Sequence, residues 1–487
     1  MDDLAHDLAT FITAAPTPYH AVAEAVRRLE EAGFVEQSET APWLDGPGGR
    51  YLVRDGTFAA WVQGAAPRPL RVYLAHTDSP TLKVKPRPDT GRAGWRQVGV
   101  EVYGGALWNS WLDRDLGLAG RLALYDGSVV LVDVARPLLR VPQLAIHLDR
   151  AVNQGLTLDA QQHLLPIWGL GAPAEGDLVE FLAGEAGVDA EEIAAHDLVV
   201  HDLTPPARLG EEEEFLAAPR LDNLASVHAG LAALAAVDAD VTPVLNGFDH
   251  EEIGSATATG AAGPLLENLL TRLAGGFDAR GPVFAASRCL SVDVTHAAHP
   301  NYLERHDPDH RTLPNQGPAL KVNAIQRYAT DAPGAAVRRG GDAAHAHLQL
   351  APHAPGRRRP TVDRRTGQAV LRVRRVPRRG RGDDLRAADA RPHAAHRELR
   401  RALGRARRRA GGARRSGPAR GGAQRGSLRK AVAAAARKPG SATPHSSRAE
   451  CMDSTGMPTS TVRMPSRVAA SGPIVEPQGI ALFDTKG

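Results

Sequence analysis

Residue 338 divides the sequence into two polypeptides of opposite character, and only the first can pack a large core. Of the chain's 59 Lys+Arg and 55 Asp+Glu, residues 338–487 hold 34 and 10, which leaves 25 and 45 for residues 1–337. A net charge of +4 thus conceals a balance of −20 followed by one of +24. After residue 337 the one aromatic is Phe483. A segment built from Arg, Ala, Gly and Pro buries too little apolar surface to offset the entropy of ordering it, so 338–487 is predicted to be a low-complexity tail, mostly disordered and without strands. It reads as a GC-rich gene translated out of frame, or else as an arginine-rich tail for nucleic acid, whose phosphates attract such charge. The aromatic interleaving used by single-strand binders is missing from it.

The first 337 residues read as an α/β protein. "AVAEAVRRLEEAGF" has the apolar spacing of an amphipathic helix that ends at Gly33. "FAAWVQG", "LRVYLAHTDSP", "SVVLVDVA", "TPVLNGFDHEE" and "SRCLSVDVTHAA" are short apolar runs with β-branched residues and predict strands. "LDNLASVHAGLAALAAVDA", with Leu221, Leu224, His228 and Leu231 at helical spacing, predicts a helix packed on a sheet. Strands alternating with helices predict a mixed sheet with helices on both faces. The loop-rich, strand-rich stretch 86–214 reads as an inserted, β-rich second domain. The predicted division is therefore 1–85 and 215–337 for one domain, 86–214 for the insertion and 338–487 for the tail.

Two cysteines, Cys289 and Cys451, exclude a disulfide framework and a cysteine-rich zinc site. No basic segment followed by an apolar one opens the chain, and no apolar run approaches the ~20 residues of a membrane span, so the expectation is a cytoplasmic protein with no membrane partner.

Three predicted strands end in residues that could bind a metal. "AHTDSP" supplies His76 and Asp78, "DHEEIGS" supplies Glu251 and Glu252, and "SVDVTH" supplies Asp293. "PRLDNLAS" puts Asp222 near a helix start, where backbone N–H groups favour a carboxylate. Each has an ordinary reading alone: a loop histidine, a solvated glutamate pair, a strand end, a helix cap. Residues that follow the carboxyl ends of strands in an α/β sheet converge on one crevice, however, and a dispersed set of His and carboxylates suits zinc, manganese or cobalt.

These segments, with "PTPYHAV", "GGALWNSWLDRDLGLAGR", "AIHLDRAVN", "FDHEEIGS", "SVDVTHAAHPNY" and "GPALKVNAIQRYATDA", resemble the M18 family of metallo-aminopeptidases, the aspartyl aminopeptidase relatives, over about two-thirds of the chain. The resemblance implies a zinc-peptidase-type fold and removal of N-terminal residues, acidic ones by family expectation, from peptide substrates. It implies two Zn2+ per subunit, with Mn2+ or Co2+ as substitutes. His76 and Asp293 would bind one ion, Glu252 the second and Asp222 both. Asp78 would orient the His76 imidazole, and Glu251 would be the general base. His147 would reach a neighbouring subunit's site and help hold the substrate there, with metal ligation as the lesser option. A homo-oligomer, commonly a dodecamer, is implied as well.

The likeness breaks after "YATDA". The family's later segments, including one that carries the second ion's remaining His, have no counterpart. "RPHAAHRELR" offers His393 and His396 only at the wrong spacing. The alternative reading is thus a catalytically defective relic or an oligomerising scaffold.

Overall fold

The computed structural model describes residues 2–234, 241–322, 324, 330 and 332, and the backbone of 345–350. In chain order the helices are α1 (Asp2–Thr13), α2 (Pro18–Glu31), α3 (Asp177–Ala186), α4 (Leu221–Leu234), α5 (Leu265–Leu273) and α6 (Arg280–Ala286). The helix α2 begins where sequence rules place it: Pro18 follows the cap Thr17, whose hydroxyl accepts the His20 N–H, and the chain leaves through Gly33 at φ +85. Its buried face is Ala21, Val22, Ala25 and Leu29.

An eight-stranded mixed sheet forms the centre. Its order is β1 (Val35–Glu36), β2 (Gly48–Arg54), β3 (Thr57–Gln63), β13 (Thr242–Phe248), β4 (Leu70–His76), β14 (Arg288–Val294), β16 (His345–Leu350) and β15 (Ala319–Leu320). Every residue of β13 is buried, as expected for an apolar run covered on both faces. One face packs on α1, α2 and α4 through Phe11, Ile12, Leu224 and Val227; the other packs on α5 through Trp61, Val244, Leu265 and Leu269. The helices on both faces match the expectation. Leu245, 1% exposed, faces the first of these cores. Its truncation to Ala is expected to destabilise the fold by about 2–5 kcal/mol, read as a lower urea midpoint.

The second sheet is antiparallel and six-stranded: β8 (Val129–Leu139), β7 (Leu116–Leu124), β10 (Ile193–Asp202), β5 (Thr81–Arg92), β6 (Trp95–Tyr103) and β9 (Ile167–Leu170). One face is apolar with the strand period of two, in Leu82 and Val84, Val98 and Val100, Val132 and Val134, Leu198 and Val200, and it is closed by Leu178 and Leu182 of α3. A short hairpin, β11 (Ala207–Leu209) and β12 (Phe215–Ala217), leads back to α4. Arg121 of β7 joins the two sheets: it pairs with Asp55 in the β2–β3 turn and lies 4.3 Å over the Tyr19 ring of α2.

The outward path is shorter. Only Thr77–Pro80 separates β4 of the first sheet from β5 of the second. Among the described residues no helix is long and apolar enough to cross a membrane.

Strands were not expected beyond residue 338, yet β16 lies there and pairs in parallel with β14 from Cys289↔His345 to Val294↔Leu350. An open sheet edge offers a row of backbone donors and acceptors whatever side chains the added strand carries. The predicted disorder of the tail, and His393 and His396, otherwise fall outside the described residues.

Candidate metal centre

Three neighbouring parallel strands, β13, β4 and β14, deliver their carboxyl ends to one side of the central sheet. Register aligns Phe248 with His76 and Ser291 with Leu74, so Asp293 and the Asp249–Glu252 turn emerge at the level of His76. This convergence is the one expected of strand ends in an α/β sheet.

His76 is 4% exposed and forms the floor. Its Nδ1 lies 3.0 Å from the Asp78 carbonyl oxygen and 3.3 Å from Asp78 Oδ1, which aims Nε2 at the carboxylates. Nε2 is 3.2 Å from Asp222 Oδ1, 3.5 Å from Asp293 Oδ1 and 3.8 Å from Glu251 Oε2. After β13 the chain reverses through His250 in the left-handed region, φ 66, into one turn of 3-10 helix that carries Glu251 and Glu252. That conformation is uncommon, though His adopts it more readily than most residues.

Asp222 lies at the start of α4, as expected, but Asp222 and Asn223 are themselves not helical, and the regular helix follows them. The turn is fixed from three directions. Arg220 donates to the Ile12 and Ala15 carbonyls at the end of α1, Ser79 Oγ donates to the Asp222 carbonyl at 2.7 Å, and Asn223 Nδ2 donates to Val292 O at 2.9 Å.

Asp78 is the hub. At 1% exposed, it accepts the Glu251 N–H on Oδ1 and the Glu252 N–H on Oδ2, each at 3.1 Å, and Tyr103 Oη donates to Oδ2 at 2.7 Å. Burial opposes its ionisation, but the bonds to His76, Tyr103 and the Glu252 amide outweigh that and hold its carboxyl below the usual range. The hub's other donors, Tyr103 and the two amides, escaped the sequence reading, as did Ser79 and Asn223.

The donors fit a divalent metal. One donor atom from each of His76, Asp222 and Asp293 lies within 4.8 Å of the others, and a second such group is His76, Glu251 and Glu252. Asp222 Oδ1 is buried without a well-oriented hydrogen bond among the described residues, despite the nearness of Nε2. An unsatisfied carboxylate oxygen beside an imidazole and further carboxylates is what zinc, or a similar ion, would complete. Glu252 enters its group with Glu251 rather than with Asp222. His147 stands apart on an exposed turn.

Without an ion the carboxylates crowd one another. Burial, with smaller contributions from Asp222, Glu251 and Asp78, pushes the Glu252 carboxyl up to about 8. Burial and Asp293 push Asp222 up to about 6. Groups raised in the fold contribute stability that is complete below their unfolded values and is lost as pH rises through the raised ones. The chelated chain is therefore expected to melt at a falling temperature from pH 5 to pH 8. Zinc binding should release protons over the same window, read by calorimetry in two buffers of different ionisation enthalpy.

Comparison with known proteins follows the same residues. A family profile described as aminopeptidase I zinc metalloprotease (M18) matches residues 11–355. A probable M18 family aminopeptidase 2 of Streptomyces coelicolor is 58% identical over 345 residues, covering 68% of this chain and 80% of that protein. A protein of the same description from Mycobacterium tuberculosis is 47% identical over 349 residues, covering 67% and 79%. Among solved structures, one of an Ape4 and Nbr1 complex has a TM-score of 0.66 at 32% identity, covering 72% of this chain and 75% of that one. The S. cerevisiae mApe1 dodecamer has a TM-score of 0.60 at 28% identity, covering 72% and 90%.

Proposed function

Because this chain belongs to the M18 family of zinc metallo-aminopeptidases, we propose that it removes N-terminal residues, acidic ones by preference, from peptides through two ions held at the convergence of β13, β4 and β14. The observation that carries this reading is a buried imidazole with three carboxylates within 3.8 Å of one nitrogen, one of whose oxygens lacks a well-oriented partner. His76 and Asp293 would hold one ion, Glu252 the other, and Asp222 both. Bound zinc supplies Lewis acidity, which makes water acidic and stabilises the negative oxygen of the tetrahedral intermediate.

The remaining steps belong to side chains. Glu251 is 48% exposed, so it faces the solvent side of the cluster where water and peptide enter. Burial of its carboxyl, with Asp293 and Asp78 adding to it and His76 opposing, raises its proton affinity. A carboxylate so tuned takes the proton of the attacking water and returns it to the leaving amine. Asp78 keeps the His76 ring and the Glu251–Glu252 backbone in register. The exposed His147 would act in a neighbouring copy, holding substrate there or, as the lesser option, binding metal; the dodecameric relative supports a homo-oligomer. Residues 86–214 would form the domain that assembles it.

One observation favours a second reading. The family match stops at residue 355, and among the described residues Glu252 gathers no histidine besides His76. A relic or scaffold would share the fold and lack turnover. Zinc titration of the full chain, followed by assay of peptides with N-terminal Asp, Glu, Ala or Leu, separates the two. Turnover at two zinc ions per chain, fastest on the acidic peptides, is expected. At most one zinc and no turnover would leave the scaffold.

A further inference from the structure

The end of β6 enters the metal-ligand cluster from the other sheet. Tyr103 Oη donates to Asp78 Oδ2 at 2.7 Å, and that same oxygen accepts the Glu252 N–H at 3.1 Å. The other oxygen accepts the Glu251 N–H at 3.1 Å and lies 3.3 Å from His76 Nδ1. Three hydrogen-bond donors thus hold one buried carboxylate, with the His76 ring beside it bonded to the Asp78 carbonyl oxygen at 3.0 Å. Two are amides of the turn after β13; among the described residues the donor from the second sheet is Tyr103. Gly104, the next residue, sits at φ +68, and a Cβ there would lie 2.9 Å from Glu252 Cβ. The close approach and the left-handed backbone both require glycine at that point. Burial, reinforced by the Asp78 charge, holds the Tyr103 hydroxyl protonated far beyond the ordinary phenol range. It is therefore a permanent donor.

We propose that Tyr103 is a positioning residue for the hydrolytic reaction: by fixing the Asp78 carboxylate it sets the direction of the His76 ring and of the Glu251–Glu252 turn. The effect on rate rests on the aminopeptidase reading; the effect on metal affinity does not. Without the hydroxyl, Oδ2 keeps one donor, and rotation of the carboxylate displaces both amides and alters the charge that faces the imidazole at 3.3 Å.

The test compares Tyr103→Phe with the wild-type full chain, using zinc alone as the ligand and an aminoacyl peptide as substrate. Partners that orient metal ligands cost about 10–100-fold in affinity or activity when removed. Tyr103→Phe is expected to weaken zinc binding and to lower kcat by about tenfold or more, within that range. KM should stay close to wild type, and the melting temperature of the chelated chain should fall only by what one buried hydrogen bond supplies. Arg121→Ala serves as the comparator, because it breaks a different contact between the sheets. It is expected to lower the melting temperature and to spare zinc affinity. Tyr103→Phe protein that fails to fold, or that melts lower with zinc affinity and kcat intact, makes the tyrosine a structural contact and overturns the proposal. If the wild type binds zinc but cleaves no peptide, the aminopeptidase reading falls and the zinc affinity of Tyr103→Phe alone decides this one. If the wild type binds no zinc, both fall.

Discussion

Glu251→Gln is expected to reduce kcat about 10²–10⁴-fold while leaving zinc stoichiometry at the wild-type value. The amide keeps the shape of the side chain and cannot accept the proton of water. Its backbone N–H still reaches Asp78 Oδ1, so the turn that carries Glu252 stays in place. Side-chain exposure of 48% means that the substitution disturbs little packing. The decisive measurement is zinc binding and peptide turnover on the same protein sample. Zinc loss in parallel with activity would make Glu251 a ligand rather than a base, an outcome given weight by its place in a donor group with His76 and Glu252.

Asp222→Asn should act with opposite signs on the two forms of the protein. With zinc, the ligand proposed to be shared loses its charge, and affinity should fall by at least ~100-fold, the upper end of what even an outer partner costs; turnover should disappear with it. Without zinc the same change removes one member of a crowded set. Asp222 has a carboxyl raised to about 6, by burial first and by Asp293 next. At pH 8 its ionised form opposes folding, so the chelated variant should melt higher than chelated wild type. Thermal melts with and without zinc at pH 8 give both signs in one experiment. A chelated variant that melts lower would mean that the carboxylate serves the fold rather than a metal.

The strand ends were legible because two patterns coincide there. Apolar runs with β-branched residues predict strands, and "AHTDSP", "DHEEIGS" and "SVDVTH" place a metal-binding residue type where each run stops. Once the strands are parallel neighbours, convergence of His76, Glu251 and Asp293 follows from geometry alone. The conformation of Asp222 was not legible, because its local sequence looks like a helix start while its backbone is held by distant groups on α1, β14 and Ser79. Tyr103 was hidden for a related reason. It lies 25 residues from Asp78, on a strand of a different sheet, and no periodicity marks a contact between two sheets. The strand β16 was missed because its sequence, HAHLQL, lacks the β-branched residues that marked the other strands, although it pairs with both β14 and β15.

The Thr77–Pro80 link determines how this protein can be taken apart. Domain boundaries generally fall in exposed linkers crossed by few contacts, where insertions are tolerated. Here the outward crossing contains Asp78 itself, and the strand that soon returns carries Tyr103 back to it. Excising residues 81–202 would leave the central sheet with all its described strands and with His76, Asp222, Glu252 and Asp293, yet it would take away Tyr103, the donor that Asp78 receives from the second sheet. Through that one bond the second sheet takes part in holding the proposed metal centre.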